Sequence, residues 1–292
     1  MKRLLAVVAA LALVGGALYV RANREDEGGT NGAGDAPGVT RLVCATEVGA
    51  ACRGLSGAEV TVEDAAVTFD RLATEAEPAL DAWLVFDPWP AMVDEARARV
   101  TLDPLFTDRT TVLARSPLAA VGPDDLGPCG WRCLGDRSNA GDLRLGMPDP
   151  TGGLGLLVVG AASAGYFGRA NIATNDFDQP FEDWLSALVA GIRIDASPVE
   201  RLLQARAFFD VALSTEQDAK PRLDTAAPDR KAGLALLYPE PVASVDVVLA
   251  GAADGLGPTL SGSLTTAGWS APDPAPTGLP NAGVLLALRE RL

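Results

Sequence analysis

The stretch Gly146–Gly168 reads Gly-Met-Pro-Asp-Pro-Thr-Gly-Gly-Leu-Gly-Leu-Leu-Val-Val-Gly-Ala-Ala-Ser-Ala-Gly-Tyr-Phe-Gly. An apolar strand over residues 143–147 runs into it. Pro148 and Pro150 disfavour helix before them, and a small, apolar run without any charge follows. The stretch therefore predicts a strand, a turn and a buried helix, with Thr151 as the N-cap of that helix.

The start of this helix is a candidate binding site. The amides of Gly152, Gly153 and Leu154 would have no partner within the helix, and the two glycines carry no side chain that would keep a ligand away. Free amides and the helix dipole favour an anion or a polar oxygen. We therefore expect Thr151, Gly152 and Gly153 to bind a ligand oxygen. The alternative is an ordinary capped helix whose glycines only permit close packing.

Charge and composition exclude several classes of function. The chain of 292 residues has 38 acidic and 24 basic residues, a formal net charge of −14 and no long basic cluster, which argues against nucleic acid as a partner. It has no histidine, which removes Ser-His-Asp and Cys-His nucleophiles and the commonest zinc ligand. Ser163, inside the predicted helix, has no histidine to activate it. We expect no enzyme activity, no cofactor and no metal site.

The N-terminal residues form a targeting segment. Residues 1–24 combine Lys2, Arg3 and two later arginines with an apolar run over 4–20. The run is about as short as a spanning helix can be, roughly 17 to 25 residues. We favour an uncleaved membrane anchor with the N-terminus in the cytoplasm, and the alternative is a signal peptide that is cleaved to release a secreted protein. The polar residues 25–38 read as a flexible linker, so the rest of the chain lies outside the cytoplasm.

The four cysteines fall into two local pairs, Cys44 with Cys52 and Cys129 with Cys133. This usage agrees with an oxidising compartment, and we predict one disulfide within each pair. Each small loop would contribute roughly 2 to 3 kcal/mol to stability. The competing interpretation is a zinc site of four thiolates, but the spacing of the cysteines does not match a zinc ribbon.

Strands and helices alternate from Val39 onward, which implies right-handed parallel units in an α/β fold. Ligands bind such sheets at the carboxyl ends of the strands. Thr46 follows the first predicted strand and Asp87 follows the apolar run 82–86, so both fall on this edge. The long extended stretch 110–121, which Pro117 interrupts, could cross between two lobes.

The order of elements over residues 39–292 resembles the extracytoplasmic solute-binding proteins of ABC-type uptake systems. These proteins have the bilobal type II periplasmic-binding fold, which includes molybdate and sulfate binders. The resemblance looks strongest to membrane-tethered versions from high-GC Gram-positive bacteria. The residues that carry it are Val-Cys-Ala-Thr-Glu (43–47), Trp-Leu-Val-Phe-Asp-Pro-Trp (83–89), Leu-Ala-Arg-Ser-Pro-Leu-Ala (113–119), Met-Pro-Asp-Pro-Thr-Gly-Gly-Leu-Gly (147–155) and Asp-Val-Ala-Leu-Ser-Thr-Glu (210–216).

The resemblance implies a two-lobed α/β fold in which each lobe is a mostly parallel sheet flanked by helices, behind an N-terminal hydrophobic helix. Residues 39–115 would form the first part of lobe 1, 116–242 lobe 2, and 243–292 the return to lobe 1. The implied function is capture of a small polar solute, with an oxyanion as one candidate, for an ABC-transporter permease. Hydroxyls and main-chain amides at strand ends hold ligands in this family, which implicates Thr46, Asp87, Ser116, Thr151, Gly152, Gly153, Thr215 and Tyr238.

Negative charge at this edge departs from a site made only for oxyanions. It comes from Glu47, Asp87, Asp149 and Glu216. Either these carboxylates point away and cap helices, or the ligand is cationic or metal-like. We expect capping for Asp149 and a solvated position for Glu216, and Asp87 is left open. The alternative function is a cell-envelope interaction module that keeps the fold without binding a solute.

Overall fold

The computed structural model describes residues 39–107, 109–252 and 255–292. The predicted anchor or signal peptide over residues 1–24 and the linker over 25–38 lie outside the described residues. Within the described part, no helix has both the length and the apolar character needed to cross a membrane.

Strands and helices alternate along the described chain. The strands are β1 (Thr40–Ala45), β2 (Ala58–Glu63), β3 (Ala82–Phe86), β4 (Thr110–Pro123), β5 (Leu145–Met147), β6 (Arg193–Ile194), β7 (Val211–Thr215), β8 (Leu234–Leu237) and β9 (Ser244–Gly251). The α-helices are α1 (Ala65–Leu72), α2 (Trp89–Arg99), α3 (Trp131–Asn139), α4 (Gly153–Phe167), α5 (Gln179–Gly191), α6 (Pro198–Gln204), α7 (Glu216–Thr225), α8 (Pro228–Lys231), α9 (Leu256–Thr266) and α10 (Ala282–Arg289). Short 3-10 helices cover Thr46–Cys52, Asp124–Leu126 and Thr174–Asp176.

The strands pair into one sheet in the order β2-β1-β3-β9-β4-β7-β5-β6, and β8 also pairs with β4. Strand β1 is parallel to β2 and β3, and β5 is parallel to β6 and β7. The middle strands β9 and β4 run antiparallel to their neighbours. The sheet therefore has two parallel parts, one on each side of an antiparallel centre, which confirms the predicted α/β class.

Strand β4 belongs to both parts of the sheet, as the sequence suggested for this stretch. Its residues up to Pro117 pair with β9, and those from Leu118 pair with β7. Proline lacks the N–H that a ladder needs, so the change of partner falls where pairing is interrupted. The chain returns to the first part of the sheet through residues 238–243. The predicted lobe boundaries lie at these two crossings, and that the two parts are separate lobes stays a prediction.

Helix α4 lies in the core, and its residues from Gly153 to Gly165 are all buried. It packs against α3 and α10, and small side chains let these neighbours come close. The predicted buried helix is therefore confirmed, but the predicted N-cap is wrong. The N-cap is Gly152, because the Thr151 hydroxyl donates to Asp149 Oδ1 at 2.8 Å and is not available to the helix.

Both predicted disulfides are present, between Cys44 and Cys52 and between Cys129 and Cys133. The first ties the end of β1 to the 3-10 helix that follows it. Helix α9 lies in the C-terminal tail over residues 255–280, which is rich in Gly, Pro, Ser and Thr and whose composition does not suggest a helix. This helix forms because Leu260 and Leu264, one turn apart, are fully buried.

Candidate functional site

A cleft of about 430 Å³ opens at the carboxyl ends of strands from both parts of the sheet. This position agrees with the edge at which open α/β sheets bind ligands. On the first part it is lined by Thr46, Glu47, Asp64 and Phe86; on the second by Pro148, Asp149, Ile194, Ser214 and Thr215. The other lining residues are Leu154, Ala196, Ser197, Pro198, Gln217, Asp218, Arg222 and Trp269.

The first turn of α4 contacts carboxylates of the chain itself. The N–H of Leu154 donates to Glu47 Oε1 at 2.8 Å, and the N–H of Gly153 donates to Asp64 Oδ2 at 3.4 Å. Carboxylates are stabilised at a helix N-terminus by the dipole and the free amides. The amides that we expected to bind a ligand oxygen thus already have acceptors, and a ligand would have to displace one of them.

Glu47 is held in place by its local fold. It lies in the 3-10 helix that the Cys44–Cys52 disulfide ties to β1. Its Oε2 atom is buried and has no hydrogen-bond partner in the described part of the chain. Burial raises the pKa of Glu47, main-chain N–H groups of Glu47 and Leu154 oppose this, and the charge of Asp64 raises the pKa further. One of the two carboxylate oxygens of Glu47 therefore lacks a hydrogen-bond donor in the described part of the chain.

Asp64 and Asp149 cap backbone amides. Asp64 Oδ1 accepts from the N–H of Ala66 at 2.7 Å, which starts α1, and Asp149 Oδ1 accepts from the N–H of Thr151 at 2.9 Å. The prediction that Asp149 caps the helix is wrong: its side chain caps the turn that precedes the helix, and Gly152 is the N-cap. Across the described residues, neither carboxylate forms an ion pair, and Glu47 forms none.

Arg222 is the cationic side chain among the lining residues, and it is already neutralised. Its Nε lies 2.7 Å from Asp218 Oδ1, and its Nη1 lies 3.0 Å from Glu200 Oε2. The hydrogen bond to Asp218 raises the pKa of Arg222, against the effect of burial. The lining therefore carries more negative than positive charge. Within the described residues, no three His, Cys, Asp or Glu side chains are grouped as metal ligands.

Apolar and uncharged polar groups complete the cleft. The rings of Phe86 and Trp269 lie 5.8 Å apart between centroids, and both line the cavity. The hydroxyl of Ser214 donates to Asp218 Oδ2 at 3.0 Å, and Thr215 Oγ1 accepts from the N–H of Asp218 at 3.3 Å. The cleft thus combines carboxylates and hydroxyls with an apolar wall.

The structure brings only some of the predicted site residues together. Thr46 and Thr215 line the cleft. The residues Thr151, Gly152 and Gly153 lie at the start of α4, where the carboxylates of Asp149, Asp64 and Glu47 surround them. Ser116 is buried, accepts from the N–H of Gln217 at 3.0 Å and lines a separate cavity of about 80 Å³.

Asp87 and Tyr238 are not among the residues that line the cleft. Asp87 is half-buried after β3, and burial and then the charge of Asp246 raise its pKa. Burial raises the pKa of the Tyr238 phenol, and the charge of Glu216 and a hydrogen bond to it add to this. Glu216, expected to be solvated, is half-buried. A ligand-binding role for these residues stays a prediction.

Sequence reasoning missed Asp64, Arg222 and Trp269. Asp64 follows β2 and precedes a helix, so the rule that selected Thr46 would have found it as well. Arg222 comes from the interior of α7 and Trp269 from the tail. Neither residue follows a strand, and no signal in the sequence marks them.

Comparison with known proteins identifies the fold. The sequence matches no family model and no curated protein. In structure, the chain is similar to iron-bound HitA from Pseudomonas aeruginosa, with a TM-score of 0.56 and 14% identity over 86% of this chain and 98% of that one. It is also similar to a periplasmic thiamin binding protein, with a TM-score of 0.54 and 13% identity over 90% of this chain and 96% of that one. Apo FutA2 from Synechocystis PCC6803 gives a TM-score of 0.53 and 12% identity over 86% of this chain and 96% of that one. The predicted type II periplasmic-binding-protein fold is thereby confirmed.

Proposed function

We propose that this protein captures a small polar solute in the cleft and delivers it to an ABC-type permease. The observation that carries this proposal is the position of the cleft, at the carboxyl ends of strands from both parts of the sheet. Its volume of about 430 Å³ suits a small molecule, since ligand pockets span roughly 300 to 1,000 Å³. Two proteins of the same fold, the periplasmic thiamin binding protein and iron-bound HitA, bind solutes and support the proposal by analogy.

Capture would proceed by closure of two lobes. Lobe 1 comprises residues 39–115 and 243–292, and lobe 2 comprises residues 116–242. The chain passes between them in β4 and in residues 238–243, and two such crossings suit a hinge. Because residues of both lobes line the cleft, closure would bury the solute without any chemical step.

The site of action would be outside the cytoplasm. The two disulfides support this, because such bonds persist in oxidising compartments. Residues 1–24 would hold the protein to the membrane as an N-terminal anchor, or would be cleaved to release it. A membrane position would keep a captured solute near the permease.

A binding screen tests the proposal. Oxyanions, amino acids, sugars, metal ions and organic cations are added singly, and thermal unfolding and small-angle scattering are recorded. A ligand at 100 times its Kd stabilises a protein by about 2.7 kcal/mol, and closure lowers the radius of gyration. Ala196→Trp places a large ring in the cleft from an exposed position and should abolish the response. Ala187→Trp, exposed on α5 outside the cleft, is the matched control.

The second candidate is a cell-envelope module that retains the fold and acts through protein contacts. Its support is the strongly acidic surface implied by the net charge of −14. No thermal shift and no change in scattering with any compound would favour this candidate over solute capture.

A further inference from the structure

We propose that the solute is a small organic cation whose N–H groups donate to Glu47 and Asp64. This inference rests on the proposed function and adds to it the chemical class of the solute. Four observations carry it: the charge of the lining, an unpartnered oxygen of Glu47, the state of the α4 N-terminus, and the apolar wall.

The charge of the lining is the first observation. Glu47, Asp64 and Asp149 line the cleft and form no ion pair within the described chain, whereas Arg222 is neutralised by Asp218 and by Glu200. A cleft lined by one sign of charge between low-dielectric walls concentrates its field. The cleft therefore attracts cations and repels anions.

The second observation is the oxygen of Glu47 that lacks a hydrogen-bond partner. Glu47 Oε1 accepts from Leu154, but Oε2 is buried with no donor in the described residues. Buried polar atoms are rarely left without a partner, and because Glu47 itself lines the cleft, the missing donor points to a group bound there. An ammonium, amidinium or guanidinium N–H supplies that donor once the carboxylate turns toward the cleft, and an oxyanion cannot.

The third observation is that the amides at the N-terminus of α4 already have acceptors. Its amides at Gly153 and Leu154 are where an oxyanion would bind, and Asp64 and Glu47 already accept from them. An incoming anion would have to break these bonds and lie against two carboxylates. Asp64 and Glu47 thus disfavour anions and favour cations, which makes the cleft selective for cations.

The fourth observation is the apolar wall of the cleft. Phe86, Trp269, Ile194 and Leu154 line the same cavity as the carboxylates, and the volume of about 430 Å³ exceeds that of a bare ion. Aromatic faces also attract cations, most strongly when water is excluded. An organic body against this wall, with its charged end at Glu47 and Asp64, uses both kinds of lining.

Two matched sets of probes test the inference by calorimetry. The first set is benzamidine, benzoate and benzamide, which share a planar ring and differ in charge. The second set is 1,4-diaminobutane, succinate and 1,4-butanediol, which share a four-carbon chain. We expect the cation of each set to bind at least tenfold more tightly than its anionic and neutral counterparts.

Glu47→Gln and Asp64→Asn remove the charges while keeping the shapes, and asparagine caps a helix about as well as aspartate. Each should weaken cation binding about tenfold, the effect expected for one charged hydrogen bond. Glu77→Gln, an exposed carboxylate outside the cleft, is the matched control and should change nothing.

The outcomes separate the two claims. If an anionic or neutral probe binds best and Ala196→Trp blocks it, solute capture stands and the cation inference falls. If cations bind but Glu47→Gln, Asp64→Asn and Ala196→Trp leave them unaffected, they bind elsewhere and the inference is overturned. If no probe binds in calorimetry and no compound of the wider screen gives a response, solute capture itself is contradicted.

Discussion

Arg115 on β4 and Asp246 on β9 form a buried, two-point ion pair. Nε lies 2.6 Å from Oδ1, and Nη2 lies 2.8 Å from Oδ2. Arg115 Nη1 also donates to the main-chain oxygen of Ala275 at 2.6 Å. The pair therefore fixes the two central strands against each other and ties the tail to the sheet.

We predict that Arg115→Gln costs about 3 to 5 kcal/mol of unfolding free energy, because it leaves the Asp246 carboxylate buried without its partner. The side chains of Arg115 and Asp246 are only 11% and 9% exposed. Urea denaturation measures the loss. Arg41→Gln is the matched control, since Arg41 pairs with Asp81 at the surface and should cost less than about 1 kcal/mol. Equal losses in the two variants would contradict the prediction.

Glu47 should make stability depend on pH. Because burial raises its pKa, the folded protein binds this proton more tightly than the unfolded chain does. The unfolding free energy of the wild type relative to Glu47→Gln should therefore be highest below pH 4.5, the ordinary pKa, and fall as pH rises through the raised folded value. Denaturation of both proteins at a series of pH values measures this, with Glu77→Gln as control. A difference that rises with pH would refute it.

The fold was largely predictable because local patterns decide it. The run 82–86 is apolar throughout, which is typical of a strand covered on both faces, and all five residues of β3 are indeed buried. Cys44 and Cys52 are close in sequence, as are Cys129 and Cys133, so local pairing was the simplest choice. These features depend on neighbours within a few residues.

The site was only half predictable because its contacts are distant in sequence. The sequence around residue 153 predicts a helix start with free amides. In the structure the amide of Leu154 donates to Glu47, which lies 107 residues earlier in the chain. Trp269 reaches the cleft from a tail whose composition suggests irregular structure. Only tertiary packing brings such groups together, and a single sequence gives no signal for them.

Gly155 should be irreplaceable in α4. A Cβ at this position would overlap the main-chain oxygen of Asp149, which cannot move as a flexible side chain can. We expect Gly155→Ala to cost about 1 to 3 kcal/mol or more in urea denaturation. The matched control is Gly262→Ala in α9, where a Cβ meets nothing within 4 Å, and it should stabilise by about 0.5 to 1 kcal/mol. A change in unfolding free energy of the same sign in both variants would contradict the prediction.

The two disulfides should differ in their effect on the cleft, although each contributes roughly 2 to 3 kcal/mol to stability. The Cys44–Cys52 loop contains Thr46 and Glu47, which line the cleft, whereas the Cys129–Cys133 loop contains no lining residue. Replacing Cys44 and Cys52 by alanine frees the 3-10 helix that positions Glu47. We expect this double variant to bind benzamidine about tenfold more weakly in calorimetry, the loss of roughly one charged hydrogen bond.

The double replacement of Cys129 and Cys133 by alanine is the matched control, because it removes a disulfide and leaves the Glu47 segment intact. Both double variants are measured at a temperature where circular dichroism shows them folded, so that lost stability is not mistaken for lost binding. An equal loss of affinity in the two would mean that the Cys44–Cys52 bond acts only through global stability. Unchanged affinity in the first would mean that packing alone holds Glu47 against the N-terminus of α4.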